Sequence, residues 1–268
     1  MTSEFDTRPD VGSAEAATAG WHALLHARLA NQPTPVVLFS DSVRSAASLW
    51  VGMRSWISTF RAIGLGRGDR VVSVLPAGDA LLQLTLACLW ESVGLVLEQA
   101  TADADVLLVR HDARCLVGAM VAGAHVLEPA AGGWPVAPDA AWRVREPVRR
   151  DRAADPGFAD AAVGSQAYAD CLDEAHRSRA HGLLAQARVV TLCDWQERTG
   201  LWGGVILPLL NAEELFVPAD RTDITAVERL LAAEPVTHAL VDAGTPAAVR
   251  AVLTAKGVAV VTLPVAHR

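Results

Sequence analysis

Residues 50–76 constrain the fold more than any other part of this sequence, because a helical pattern, a cluster of glycines and an apolar strand follow one another there. Apolar side chains recur at steps of three and four residues, a spacing that places them on one buried face of a helix. They are Leu49, Met53, Trp56, Ile57, Phe60 and Ile63. Residues 70–75 are mainly apolar and predict a strand within a buried sheet.

The glycines between these two elements indicate local structure. Gly64 and Gly66 are predicted to cap the helix, because glycine tolerates the left-handed conformation at a helix C-terminus. Gly68 and Asp69 predict the turn into the strand. A dinucleotide-binding fingerprint needs the reverse order, with a strand before the glycines and a helix after them. We therefore do not interpret this cluster as a phosphate site.

Strand and helix patterns alternate along most of the chain. This order predicts an α/β fold with doubly wound, mostly parallel sheets. The predicted strands are 36–39, 70–75, 93–97, 105–109, 125–127, 188–193, 214–217, 236–241 and 258–263. The predicted helices are 21–30, 42–63, 79–92, 113–122, 167–187, 199–210, 223–233 and 246–256, with Asp223 and Thr245 at helix starts.

Four ranges describe the expected domain organisation. Residues 1–20 lack an apolar period and are predicted to be a frayed N-terminus. Residues 21–128 form a first α/β subdomain, and residues 161–268 form a second. Residues 129–160, rich in proline and glycine, are a linker or crossing segment between them.

Composition limits the partners and the location. The chain has 268 residues and 51% hydrophobic content, enough to bury a substantial core. Its net charge of -7 comes with mixed acidic and basic residues and no basic patch, so nucleic acid is not an expected partner. No apolar run reaches the roughly 18 residues of a membrane helix, and the first residues lack the pattern of a secretory signal. We expect a cytoplasmic protein that does not interact with membranes.

The four cysteines are widely spaced and include no Cys-x-x-Cys pair. Cys88 and Cys193 lie in apolar segments, where a thiol packs as a small hydrophobic group. The same interpretation, reduced and structural, is extended to Cys115 and Cys171.

Two separated motifs resemble those of adenylate-forming enzymes, the superfamily of acyl-CoA synthetases, peptide-synthetase adenylation domains and luciferases. Residues 60–71, FRAIGLGRGDRV, are similar to the superfamily signature LGVGPGDRV. Residues 199–210, TGLWGGVILPLL, are similar to its helix GLLGGLLLPLLAGA, and residues 213–237 resemble the unit that follows. The chain also resembles a family of short actinobacterial proteins that match only the N-terminal part of these enzymes. The resemblance implies the fold of their N-terminal domain in truncated form.

The residues that adenylation requires are missing from the expected places. In the superfamily, a Thr/Ser/Gly-rich loop ending in lysine holds the ATP phosphates, and a second lysine lies on a small C-terminal domain. The only lysine in this sequence is Lys256, which precedes Gly257 where a helix is predicted to end. The nearest candidate for the loop, residues 163–168, has one glycine and no basic neighbour. We therefore expect no catalytic residues and no cofactor.

Three polar residues suggest a ligand-binding cleft: Asp194, Glu197 and Thr199. The resemblance places them where relatives line the acyl or amino-acid pocket, at the carboxyl end of a strand. The alternative is a solvated turn and helix cap, in which polar side chains serve local structure.

Two other groups of residues match the pattern of a functional site only in part. His22 and His26 have the spacing of two metal ligands on one helix face, but no third ligand is evident, so no metal site is predicted. His111, Asp112 and Asp242 suggest parts of a hydrolase triad, but the sequence has no Gly-x-Ser-x-Gly elbow for a nucleophile.

Three functions are compatible with these observations. The leading hypothesis is a degenerate, stand-alone relative of adenylate-forming enzymes, a pseudoenzyme that binds a small acyl or nucleotide-like ligand or a protein partner. The alternative is an acyl- or amino-acid-adenylating or acyl-binding enzyme whose residual activity is completed by a partner polypeptide. The third is a scaffolding protein that self-associates through an apolar surface, and we expect a homodimer.

Overall fold

A computed structural model describes most of the chain. The described residues are 11–30, 35–40, 42–62, 64–67, 69–73, 75, 77–97, 106–108, 125–129, 142–143, 157–160, 164–182 and 184–264. None of the helices in these ranges has the length and apolar character needed to cross a membrane.

Helices and strands alternate over much of the described chain, as the sequence pattern predicts. The helices are α1 (Val11–Leu29), α2 (Ala46–Ala62), α3 (Asp79–Glu91), α4 (Tyr168–His181), α5 (Arg198–Leu201), a π-helical segment (Trp202–Ile206), α6 (Leu207–Asn211), α7 (Ile224–Ala233) and α8 (Ala247–Ala255). The strands are β1 (Pro35–Phe39), β2 (Val43–Ser45), β3 (Arg70–Ser73), β4 (Gly94–Leu97), β5 (Val106–Leu108), β6 (His125–Pro129), β7 (Trp142–Arg143), β8 (Gly157–Asp160), β9 (Gly164–Ala167), β10 (Arg188–Thr191), β11 (Glu214–Val217), β12 (His238–Val241) and β13 (Ala259–Thr262).

The strands form two mostly parallel sheets, which confirms the predicted fold class. A six-stranded sheet has the order β13-β12-β10-β11-β1-β2, and only β2 runs antiparallel to its neighbour. A seven-stranded sheet has the order β7-β6-β5-β3-β4-β8-β9, with antiparallel strands β7 and β9 at its two ends.

Both faces of the six-stranded sheet are buried at its centre. Along β10, Val189 contributes to the larger hydrophobic cluster and Val190 to a second cluster on the other face, as the alternation of side chains along a strand requires. The second cluster also includes Val227 of α7 and Val249 of α8. This two-sided burial explains why the strands of this sheet read as apolar runs.

Helix α1 connects the two halves of the chain. The side chain of Trp21 is fully buried, and its Nε1 donates to the carbonyl oxygen of Tyr168 at 3.1 Å. Tyr168 in turn donates its hydroxyl to the carbonyl oxygen of Val93 at 2.7 Å. Because α1 begins at Val11, the prediction of a frayed segment followed by a helix from residue 21 is wrong for residues 11–20, while residues 1–10 lie outside the described residues.

Strand pairing crosses the expected subdomain boundaries. Strand β1, from the range 21–128, pairs in parallel with β11, from the range 161–268. Strands β7 and β8 lie within the predicted linker 129–160, and β8 pairs with β4. The division into two subdomains stays a prediction, but the sheets do not follow it.

Two local predictions need correction. Residues 43–45 form β2 rather than the first turn of a helix over 42–63, because they pair with β1. Gly64 has the predicted left-handed conformation (φ 74°), but Gly66 is not a second cap; its N–H donates to the Asp69 side chain at 2.7 Å within a turn. Gly68 and the predicted helix 113–122 lie outside the described residues.

The predicted helix 199–210 is present but contains a π-helical segment, Trp202–Ile206. Two glycines allow this helix to approach the chain after β10. A Cβ at Gly204 would lie 2.7 Å from the Cβ of Cys193, and a Cβ at Gly200 would collide with the carbonyl oxygen of Asp194. Both positions therefore require the smallest residue.

Substitution of Gly200 by alanine should destabilise the protein by about 3 kcal/mol, because the obstructing atom is backbone and cannot rotate away. The matched control is Gly203→Ala in the same helix, where an added Cβ would meet only the side-chain tip of Leu263, at 3.3 Å. We expect that control to change stability by less than about 1 kcal/mol. Urea unfolding of the three proteins measures the difference, and equal losses for both variants would contradict the packing assignment.

Candidate functional site

The carboxyl ends of strands from both sheets meet around residues 192–197. The aromatic ring of Trp195, after β10, lies 6.2 Å from that of Phe39 at the end of β1. The side-chain amide of Gln196 donates to the carbonyl oxygen of Leu75, just beyond β3, at 2.6 Å. Because β3 belongs to the seven-stranded sheet, this hydrogen bond joins the carboxyl edges of the two sheets, the position where α/β folds hold their ligands.

Asp194 has several intramolecular partners in this region. Its Oδ1 accepts from the backbone N–H of Gln196 at 2.9 Å, which stabilises the turn, and its own backbone N–H donates to Oδ2 of Asp242 at 2.6 Å. Its Oδ2 accepts from Nη2 of Arg221 at 2.7 Å. Both carboxylate oxygens of Asp194 are therefore engaged within the protein.

Arg221 bridges two carboxylates. Its Nη2 pairs with Asp194, and its Nη1 lies 2.9 Å from Oδ2 of Asp242, which directly follows β12. The side chain of Asp242 is only 13% exposed, whereas those of Arg221 and Asp194 are about one-third exposed, at 30% and 35%. The guanidinium thus supplies a shared counter-charge to two carboxylates that the parallel strands bring to one edge.

A second arginine completes this network. Arg250 of α8 donates its Nη2 to the carbonyl oxygen of Asp242 and its Nε to that of Thr245 at 3.3 Å. Thr245 is buried, and its hydroxyl accepts from the backbone N–H of Asp242 at 3.2 Å, so it stabilises the turn after β12. Thr245 was predicted to start a helix, but Pro246 holds the N-cap position. The matching prediction for Asp223 is confirmed, since its side chain accepts from the N–H of Thr225 at 2.8 Å.

The other two predicted cleft residues lie on the same turn and helix as Asp194. Glu197 is exposed, occupies the N-cap position of α5 and makes no side-chain capping bond. Thr199 is half-buried in the first turn of α5. Ligand binding by Asp194, Glu197 and Thr199 stays a prediction.

Sequence reasoning missed the two arginines and Gln196. The sequence does contain a signal for Asp242, because this residue directly follows a predicted strand and so lies at the carboxyl edge of the sheet. From the sequence, Asp242 is interpreted only as part of a hydrolase triad. His111 and Asp112, its hypothetical partners, lie outside the described residues. The pairing of Asp242 with Arg221 instead gives it an electrostatic role.

His22 and His26 contact aromatic rings of neighbouring helices. His22 stacks on Trp90 with ring centroids 4.1 Å apart, and its Nε2 lies 2.8 Å from the carbonyl oxygen of Trp90. His26 meets Trp50 edge-on at 5.5 Å. Within the described ranges, no group of three or more potential ligands is arranged to hold a metal ion.

Three of the four cysteines are buried free thiols. Burial raises the pKa of Cys193 to about 12 and raises those of Cys88 and Cys171 well above the ordinary thiol range. These three thiols therefore stay protonated at neutral pH, as a structural role requires. Cys115 lies outside the described residues.

The single lysine lies at the edge of the six-stranded sheet opposite to the edge that carries Asp194. Helix α8 starts after β12 and returns to the amino end of β13, so Lys256, at its C-cap position, lies at the amino edge. Lys256 is exposed, and Gly257 beside it has the left-handed conformation of a helix end (φ 73°). The predicted position of Lys256 at a helix C-terminus is confirmed.

The comparisons with known proteins identify the fold. No protein-family model and no curated protein matched the chain. Among solved structures, it is similar to a benzoate CoA ligase from Burkholderia xenovorans LB400 with a TM-score of 0.61 at 17% identity. It is also similar to ATP-bound MatB from Rhodopseudomonas palustris (0.63, 16%) and to the amide bond synthetase McbA from Marinactinospora thermotolerans (0.64, 13%).

This chain has the fold of the N-terminal part of an adenylate-forming enzyme. Each of the three comparisons covers 84% of this chain but only 50%, 49% and 49% of the other protein. The chain therefore spans about half the length of these adenylate-forming enzymes. The resemblance predicted from residues 60–71 and 199–210 is confirmed at the level of the fold.

The bridging role of Arg221 predicts a loss of stability when it is removed. Arg221→Met should destabilise the protein by about 2 kcal/mol, because two neighbouring carboxylates, one largely buried, lose their counter-charge. The control Arg61→Met breaks a surface ion pair with Glu91, in which Arg61 is 65% exposed, and should cost at most about 0.5 kcal/mol. Equal effects in urea unfolding would show that Arg221 is no more than a surface ion pair.

Proposed function

We propose that this protein is a non-catalytic module with the adenylate-forming fold, which binds a small acyl or nucleotide-like ligand at the joined carboxyl edges of its two sheets. The observation that supports this proposal most is the internal pairing of Asp194, Arg221 and Asp242. A group that neutralises phosphate charge in an active site must be free to face the substrate. Arg221, at this edge, is instead already shared between two carboxylates.

The position of Lys256 supports the same proposal. Adenylation develops charge on phosphate groups, and the superfamily resemblance assigns lysines to that task. Here the sole lysine lies at the amino edge of the six-stranded sheet, the edge opposite Asp194. A structure of MatB, which has a similar fold, contains bound ATP. The proposal differs in predicting that the present protein catalyses no reaction of the nucleotide.

A pyrophosphate-release assay tests the proposal. The protein, at micromolar concentration with ATP and Mg²⁺, is supplied with a panel of carboxylic acids that includes benzoate, fatty acids and amino acids. We expect no release above a protein-free blank, while a benzoate CoA ligase run alongside releases pyrophosphate with benzoate. Robust release with any acid would contradict the non-catalytic assignment.

Calorimetry supplies the binding arm of this test. Titration with the same acids and with AMP should reveal saturable binding of at least one compound, and Asp194→Asn should weaken it because the turn carrying the cleft residues loses an ion pair. If no compound bound, the ligand-binding proposal would fail. The alternative, residual adenylation completed by a second polypeptide, would be favoured if pyrophosphate release appeared only when such a polypeptide was added.

Self-association is a further part of the proposal. Within the described residues, β13 forms one end of the six-stranded sheet and pairs only with β12, and its Val261 is 43% exposed. An edge strand with open backbone groups can pair with a second copy. We expect a cytoplasmic homodimer that Val261→Lys shifts toward monomer. Sedimentation of a monomer at micromolar concentration of the unmodified protein would count against it.

A further inference from the structure

A pocket of about 820 Å³ lies at the amino edge of the six-stranded sheet, away from Asp194. The C-terminal ends of α1, α4 and α6 meet there, and the segments that follow α4 and α6 lead directly into β10 and β11. The polar residues that line it are Arg28, Ser178, Arg179, Gln186, Asn211 and Glu213. Nothing in the proposed function uses this pocket.

Arg28 is fixed in position by the end of α6. Its Nε donates to the carbonyl oxygen of Leu209 at 2.7 Å, and its Nη2 donates to those of Ala212 and Glu213 at 2.7 and 3.3 Å. These bonds satisfy carbonyl groups that a helix C-terminus leaves open. Nη1 of Arg28 has no acceptor among the described residues. A guanidinium held this firmly presents its remaining N–H groups in a defined direction.

A second guanidinium lines the same pocket without a counter-charge. Arg179, exposed on α4, has no ion pair among the described residues. Burial and, to a lesser extent, the nearby charge of Arg179 lower the pKa of Arg28. The carboxylate of Glu213 lies on the rim but pairs with neither arginine in the described structure. The charged lining thus has one cation in excess.

Ser178 adds a hydroxyl to this lining. The residue as a whole is only 7% exposed. A hydroxyl that lines a pocket beside two arginines can donate a hydrogen bond to a ligand. The lining therefore suits a ligand that accepts hydrogen bonds.

We propose that this pocket binds the oxyanion group of a small carboxylate or phosphate compound. Nη1 of Arg28, the guanidinium of Arg179 and the hydroxyl of Ser178 donate hydrogen bonds to the oxyanion. Planar guanidinium groups match the geometry of both carboxylate and phosphate oxygens. The site lies at the opposite sheet edge from the proposed cleft, so it is independent of the proposed function.

Titration with orthophosphate and, separately, with acetate tests this site. Chemical shifts of backbone amides in residues 178–186 and 210–213 report binding at the pocket, and the two anions distinguish a phosphate site from a carboxylate site. We expect saturable binding of at least one anion at low ionic strength. Arg179→Gln should weaken it about tenfold, the usual effect of losing a charged hydrogen bond, and Ser178→Ala should weaken it severalfold.

Arg177→Gln is the matched control, because Arg177 is exposed on the same helix, carries the same charge and does not line the pocket. The affinity of this variant should stay within about twofold of that of the unmodified protein, because Arg177 does not line the pocket and donates no hydrogen bond to the anion. The absence of saturable binding for both anions would overturn the proposal. Equal weakening by Arg179→Gln and Arg177→Gln would also overturn it, because it would indicate nonspecific attraction to a basic helix.

Discussion

The ion pairs of Arg221 determine what the carboxyl edge of this protein can do. Parallel strands bring their carboxyl ends together, and here two of those ends carry Asp194 and Asp242. Two carboxylates this close repel each other unless a cation lies between them. Arg221 supplies that cation, and Arg250 holds the backbone on which Asp242 lies. Both carboxylates at this edge are therefore paired with the same guanidinium within the protein.

The packing beneath this edge follows from small residues and from one long helix. Because Gly200 and Gly204 have no side chains, the helix after β10 can approach the backbone that carries Asp194. This contact fixes the turn whose Asp194 side chain pairs with Arg221. The ring of Trp21 in α1 contacts, edge-on at 6.0 Å, the ring of Trp202 in the same π-helical segment as Gly204. The position of the cleft residues thus depends on packing between segments far apart in the sequence.

Helices, strands and fold class could be predicted from the sequence because they depend on local periodicity and on alternation. The strand of residues 214–217 and the cap of Asp223 are local signals of this kind, and both were confirmed. The start of α1 was missed because residues 11–20 show no apolar period, and its place is determined by contacts with α3 and α4. The β2 strand was missed because its pairing with β1 is tertiary.

The candidate site was less accessible to prediction for a related reason. Asp194 could be placed at a strand end, but its partner Arg221 is 27 residues away in sequence and lies in a loop before α7. No spacing rule joins these two residues, because the pairing depends on how β10, β11 and β12 lie side by side. The pocket of Arg28 and Arg179 is formed by three helix ends that only the folded chain brings together.

A double-mutant cycle between Asp194 and Arg221 tests the central claim most directly. Unfolding free energies of Asp194→Asn, Arg221→Met, the double variant and the unmodified protein give the energy that couples the two side chains. An internally satisfied edge predicts a favourable coupling of about 1–2 kcal/mol. A coupling near zero would contradict the account, because it would mean that Asp194 and Arg221 do not stabilise each other.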